Sequence, residues 1–192
     1  MKILRTLPVI ALCMVSIQVH AQSDIPKGYK KGTILLADST PVAGYIKENI
    51  KSGASVLFLT EPGGKKRNYT GGDLISAEID GTTFRCINGD FFKVICSGDL
   101  SFLQKSSDAS GKPSYNGTEV VFSNGTEGSP NDYFIYDNRS KQLQLISRKN
   151  FSEVIAATFA DYTAAMDKAK TTSGDIAQLK DAVEFYNRRN SK

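Results

Sequence analysis

Beyond residue 20 this 192-residue chain has no histidine, and it has no tryptophan anywhere. The missing imidazole excludes a Ser-His-Asp triad, a Cys-His pair and histidine ligation of zinc from everything downstream. Phosphate and metal loops are missing too: there is no Gly-x-Gly-x-x-Gly, no P-loop and no Asp-x-Asp-x-Asp-Gly calcium loop. No sign of charge dominates, with 24 Lys+Arg against 20 Asp+Glu. The nearest approach to a basic stripe is Lys65-Lys66-Arg67. Flanked by Pro62-Gly63-Gly64, it reads as a solvated hairpin tip. A nucleic-acid partner is therefore not expected, and no cofactor is implied by any motif.

Long apolar runs are confined to the start. Lys2 and Arg5 precede an apolar stretch over residues 7–17, and Val19-His20-Ala21 is a small-residue cleavage site. This is the pattern of an export leader over residues 1–21, cut between Ala21 and Gln22. The stretch is shorter than the ~20 residues that cross a bilayer, so no transmembrane segment is expected after cleavage. Cys13 follows Leu12, where lipid attachment wants a small residue, and belongs to the apolar run. Loss of Lys2 and Arg5 leaves 22 basic against 20 acidic residues in a mature chain of about 170, and loss of His20 leaves it without imidazole.

The mature chain changes grammar once. Residues 22–149 alternate strand and turn; residues 150–190 carry helical spacing. The fold class is therefore mainly β with C-terminal helices (α+β). An antiparallel hairpin meander forms a sheet or small barrel, and a helical hairpin packs on it. Asp80-Gly81 and Asn88-Gly89 are the strongest turn signals, since two-residue hairpins want φ > 0 at both central positions. They put Ala77 opposite Phe84 and Cys86 opposite Phe91. One face then carries Ile75, Ala77, Ile79, Phe84, Cys86, Phe91 and Ile95. The other is polar except for Phe92 and Val94. In this register Cys86 and Cys96 lie ~17 Å apart along the strand direction at ~3.3 Å per residue. A disulfide needs Cα atoms within ~7 Å, so a Cys86–Cys96 bridge is disfavoured although an exported chain meets oxidising conditions. Beyond, Asn150 and Glu153 have capping-box spacing. Ile155, Phe159, Tyr162, Met166 and Ala169 predict one helix; Asp175 and Gln178 predict a cap for a second, marked by Ile176, Leu179, Val183 and Tyr186.

Chemistry survives only through carboxylates. A glycan hydrolase needs two of them a few ångströms apart, and Glu78, Asp80, Asp90, Asp99, Glu119 and Asp132 are available, mostly where turns use Asp. Tyr115, Tyr133 and Tyr136 are the sugar platforms that stand in for Trp. Two polar segments, residues 105–116 and 124–131, bracket one short strand at residues 119–123. Loops on a rigid scaffold are the usual place for recognition. Their candidate contact residues are Lys105, Ser107, Lys112, Tyr115, Asn116, Asn124, Glu127 and Asn131. If they are mobile surface, deleting residues 106–114 leaves folding intact. The leading expectation is a non-catalytic binding module, not an enzyme, whose partner is a protein, glycan or small ligand. A carboxylate-based glycan hydrolase and a small β-barrel carrier of an apolar ligand are the alternatives.

Lys27-Gly28-Tyr29-Lys30-Lys31-Gly32, Gly44-Tyr45-Ile46-Lys47, Phe91-Phe92-Lys93-Val94-Ile95 and Asp132-Tyr133-Phe134-Ile135-Tyr136 also form a recognisable series, closed by Lys149-Asn150-Phe151. Through it most of the mature chain resembles a set of uncharacterised exported β-rich proteins of Bacteroidota. The resemblance implies a periplasmic, envelope or secreted location and carries over no catalytic residue. Asn-x-Ser/Thr sequons at Asn68, Asn116, Asn124, Asn138 and Asn150 are what turns and caps use, and the resemblance implies that they are not glycan acceptors.

Overall fold

A computed structural model of the protein describes residues 25–115, 120–122, 124–172 and 174–189. The expected leader with its expected cleavage site at Ala21 and Gln22, and Asn116 and Glu119, lie outside the described residues. The elements run β1 (Lys30–Leu36), β2 (Pro41–Asn49), a one-turn helix α1 (Ile50–Gly53), β3 (Ser55–Leu59), β4 (Arg67–Thr70), β5 (Leu74–Ile79), β6 (Thr82–Ile87), β7 (Asp90–Cys96) and β8 (Leu100–Lys105). They continue with β9 (Pro113–Tyr115), β10 (Val120–Phe122), β11 (Tyr133–Asp137), β12 (Leu143–Ile146), α2 (Phe151–Thr158), α3 (Thr163–Lys170), a 3-10 turn (Ile176–Gln178) and α4 (Leu179–Arg188). The fold is mainly antiparallel β with C-terminal helices, as the pattern predicts.

Ten strands form one sheet in the order β12-β11-β8-β7-β6-β5-β1-β2-β3-β4. The tandem hairpins have the expected register, with Ala77 opposite Phe84 and Cys86 opposite Phe91. Asp80 and Gly81 (φ 52° and 77°) and Asn88 and Gly89 (φ 50° and 86°) all take the left-handed conformation those turns need. The meander is not purely sequential, because β5 pairs with β1 and β8 with β11.

A sheet this wide curls. The half made of β6, β5, β1, β2, β3 and β4 curls until Gly71, just past β4, bridges Gly89 in the β6–β7 turn. A Cβ on Gly71 would sit 2.2 Å from the Gly89 carbonyl oxygen, so the contact requires glycine. The sheet does not close into a full barrel. Ile34, Ile46, Val56, Phe58, Ala77 and Phe91 fill the inside of the curl.

The other half, β7-β8-β11-β12, is buried on both faces. Phe102, Ile135 and Ile146 face Val154, Phe159, Leu179 and Val183 of the helical segment. Phe92, Leu103, Phe134 and Tyr136 form a separate core on the opposite face, and the chain at Gly128 lies against Phe134 and Leu145 there. That second core explains why Phe92 and Val94 interrupt an otherwise polar face. β7 links the two halves, since Phe91 enters the first core and Phe92 the second.

The helical segment differs from the sequence expectation in two ways. The periodicity over residues 155–169 belongs to α2 and α3, and with α4 the segment holds three helices rather than a two-helix hairpin. Tyr162 adopts extended backbone before α3 and stacks on Phe185 of α4 (5.4 Å between centroids, 11° between planes). Asp161 is drawn to Arg189. Periodicity survives the break because Ile155 and Phe159 on one side of it and Ala165 and Ala169 on the other enter the same core. Nor does Asn150 form a capping box. Its side chain accepts from Ser147 N and Oγ and donates to the Leu145 carbonyl (2.9 Å), which caps the edge of β12. Asp175 does cap, accepting from Ala177 N. Gly98 admits α4 close to the sheet, where Asn187 pairs with both backbone groups of Leu100.

Candidate functional site

A buried ion pair organises the two polar segments. Asp90 opens β7, and Lys105 ends β8 opposite Phe92, diagonally across the ladder from Asp90; both side chains are 0% exposed, with Nζ 3.2 Å from Oδ2. Asp90 Oδ1 accepts from Ser107 Oγ (2.9 Å) and Ala109 N (2.7 Å), and Oδ2 from Thr126 N and Oγ1 (both 2.8 Å). The Lys105 ammonium donates to the carbonyls of Thr126 (2.8 Å), Glu127 (3.3 Å) and Gly128 (2.9 Å). Ser107 Oγ also accepts from Phe91 N (2.8 Å). One carboxylate thus gathers donors from both segments, and one ammonium gathers acceptors from the second. Buried charges persist only when paired and hydrogen-bonded, and this pair satisfies both conditions. Lys112 adds a tie to the curled half by donating to the Ser52 carbonyl (2.9 Å).

The candidate contact residues therefore divide. Lys105 and Ser107 are buried and hold the segments in place; they offer a partner no surface. Lys112 is committed to Ser52. Asn124, Glu127 and Asn131 are exposed. Tyr115 lies in β9, which pairs with β10 as a separate two-stranded sheet. The first segment is thus part hairpin, and its inner end is fastened to the core. Deleting residues 106–114 would strip Ser107 and Ala109 from Asp90, so that deletion cannot leave folding untouched, contrary to the sequence expectation.

Asn131 leads to a feature that sequence reasoning missed. From it a groove runs along the edge of β12 toward the α3–α4 connection. Its narrow end, about 330 Å³, is walled by Asn131, Asp132, Tyr133, Arg148 and Ile176. It shares Tyr133, Arg148 and Ile176 with a wider lobe of about 930 Å³, which adds Phe151, Ser152, Lys170 and Asp175. Tyr133 is held by stacking on Phe102 (5.3 Å, 12°). Asp175 is occupied by Ala177 N (3.2 Å) and Gln178 Nε2 (2.8 Å), and Asp132 by Ser129 N (2.7 Å). The sequence traces of this groove were Asn131 as a loop contact, Asp132 as a carboxylate and Tyr133 as a platform, with nothing to join them. Its other walls come from residues over forty positions apart in places, brought together by the helical segment.

The described carboxylates do not gather in one cleft. Glu78 and Asp80 line an open cleft with Tyr45, where Glu78 is exposed on β5 and Asp80 is paired with Lys30. Asp90 is buried, Asp132 caps a turn, and Glu119 lies outside the described residues. Asp99, bound by Arg139, reaches a third cleft, where it meets Asp137, Asp161 and Tyr186. The Arg139 backbone N–H holds Asp137 below the usual carboxylate range, and the Arg189 guanidinium does the same for Asp161. A general acid needs the opposite shift. Tyr136 lies under the Arg85 guanidinium (4.2 Å) and is buried. Cys86 and Cys96 are both free thiols. Among the described residues no three His, Cys, Asp or Glu side chains are grouped to hold a metal. No described helix is long and apolar enough to cross a membrane.

Comparison of the chain with protein-family models, with curated proteins and with solved structures returns no match.

Proposed function

We propose that the protein is exported to the envelope or periplasm, the location its resemblance to Bacteroidota proteins implies, and that it is a binding module that recognises its ligand without catalysis. The groove along β12 is the binding site. The observation that carries this reading is the Asp90–Lys105 knot. It spends a fully buried ion pair on fixing polar segments that build no core cluster of their own, and the second segment ends in the groove wall at Asn131. Fixed polar walls lower the ordering cost of binding. The groove also has the mixed aromatic and polar lining and the size of small-ligand sites, ~300–1,000 Å³.

The hydrolase reading has less support, because in each cleft that holds two or more carboxylates one is tied to a cation, Asp80 to Lys30 and Asp99 to Arg139, and Asp137 and Asp161 in the Asp99 cleft are held low. The carrier reading has less support, because apolar side chains fill the curled half.

A panel of oligosaccharides and short peptides tests the proposal against the wild-type protein and Ser152→Trp, which fills the wider lobe from an exposed position. The expected result is at least one ligand bound by wild type and lost in the variant, with no turnover of that ligand. Binding unchanged by Ser152→Trp refutes the groove as the site. Cleavage of a bound glycan refutes the non-catalytic reading. Export is tested by mass spectrometry of protein recovered from cells, which should begin at Gln22.

A further inference from the structure

We propose that the wider lobe of the groove takes a carboxylate borne on a ring, and that the ring's apolar face packs over Tyr133 and Phe151. The inference rests on the groove being the binding site. Arg148 and Lys170 stand on the lobe wall against a single carboxylate, Asp175. Asp175 is spent on its own turn, accepting from Ala177 N and Gln178 Nε2. Arg148 is exposed and has no ion-pair partner among the described residues. Lys170 has only Asp167, at 3.7 Å with both side chains more than 60% exposed. Water screens such a pair, and it yields easily to a better acceptor. A planar guanidinium matches a carboxylate in two-point geometry and an ammonium adds a second positive charge.

The apolar walls define the rest of the ligand. Tyr133, Phe151 and Ile176 are half-buried and pack against the helix-side core, so their surfaces are rigid. Tyr133 is backed by Phe102. Flat aromatic surface beside paired cations suits a ring with one C–H or π face and one acidic substituent. Both a uronic-acid residue of an acidic saccharide and an aromatic acid have that chemistry. The lobe's volume of about 930 Å³ exceeds a single small ring and favours the saccharide.

Titration calorimetry with three probes tests this: trigalacturonate, its fully methyl-esterified neutral counterpart, and benzoate. Trigalacturonate is expected to bind, and the ester to bind at least roughly tenfold more weakly, the scale of one lost charge-assisted contact. Arg148→Gln should weaken the acid by a similar factor and leave the ester unchanged, and Lys170→Gln should act in the same direction. The melting temperature should not move, because neither side chain is buried. Benzoate binding as tightly as trigalacturonate, with the same Arg148 dependence, keeps the ring carboxylate and assigns its source to aromatic acids. Equal binding of acid and ester, indifferent to Arg148→Gln but lost in Ser152→Trp, overturns the carboxylate inference and leaves the groove reading standing. No binding of any of the three at millimolar concentration also overturns it, and the groove reading then rests on the broader panel.

Discussion

Replacing Asp90 by Ala gives the sharpest structural prediction. The carboxylate is the common acceptor for Ser107, Ala109, Thr126 and Lys105. Its removal leaves an ammonium at 0% exposure with backbone carbonyls only, and leaves the Ala109 and Thr126 N–H groups without their acceptor. Breaking one side of a buried pair costs about 3–5 kcal/mol, against a whole-domain stability of ~5–15 kcal/mol. With a urea m-value of ~2 kcal/mol/M, the unfolding midpoint should fall by roughly 2 M. Lys105→Met is expected to cost less, because Asp90 keeps its Ser107, Ala109 and Thr126 donors and stays hydrogen-bonded as an anion. The double variant Asp90→Leu with Lys105→Met should cost less than the two single losses together, as expected for partners in one network. Urea titration followed by far-UV circular dichroism measures all three; tyrosine emission is a usable second probe because no tryptophan is present. An Asp90→Ala cost below about 1 kcal/mol, or a Lys105→Met cost exceeding it, would refute the view that Asp90 is the hub.

Three further outcomes are expected. Gly71→Ala should destabilise by about 1–3 kcal/mol through overpacking, because its Cβ meets the Gly89 carbonyl at 2.2 Å; hydrogen exchange should rise at the β4 end and at the β6–β7 turn, and protection unchanged there contradicts the seam. Burial pushes the Cys96 thiol up to about 11 and raises Cys86 further. Maleimide labelling at pH 8 should therefore be slow in the folded protein and fast in urea. A raised folded-state pKa adds stability that is intact below the unfolded value of 9.0 and is lost as pH climbs through the folded values, so Cys96→Ala should flatten the alkaline decline. The hydrogen bond from Arg189 lowers Asp161, so its contribution is present above the usual carboxylate pKa of 3.8 and fades as pH falls. Asp161→Asn should lose more stability at pH 7 than at pH 3, by a modest amount because the carboxylate is 57% exposed.

The hairpins were legible because their information is local. Asp80-Gly81 and Asn88-Gly89 set φ, φ sets register, and register places Phe84 and Phe91 on one face. What required the structure is long-range. The pairing of β1 with β5 and of β8 with β11 leaves no mark in composition. Phe92 and Val94 stood out as exceptions on a polar face, and only the fold shows that this face holds a second core, which the chain around Gly128 helps to cover. Lys105 and Ser107 read as loop contacts open to a partner because burial of a polar residue depends on groups distant in sequence, here Asp90 and residues 126–128. The helical stripe predicted burial correctly while missing the break before Tyr162, since a periodic stripe is blind to whether one helix or two carry it. Arg148 and Lys170 had no motif to join them, and the groove exists only where the helical segment returns to β12.

Chemical-shift mapping of the isotope-labelled protein during titration with trigalacturonate tests the central claim most directly. The groove account predicts saturable shifts at Tyr133, Arg148, Phe151 and Ile176, with Asp90 and Lys105 unmoved because they support the site from beneath the surface. Shifts confined to the Asp99–Asp161 cleft, or spread over residues 30–60 with the groove silent, would contradict it.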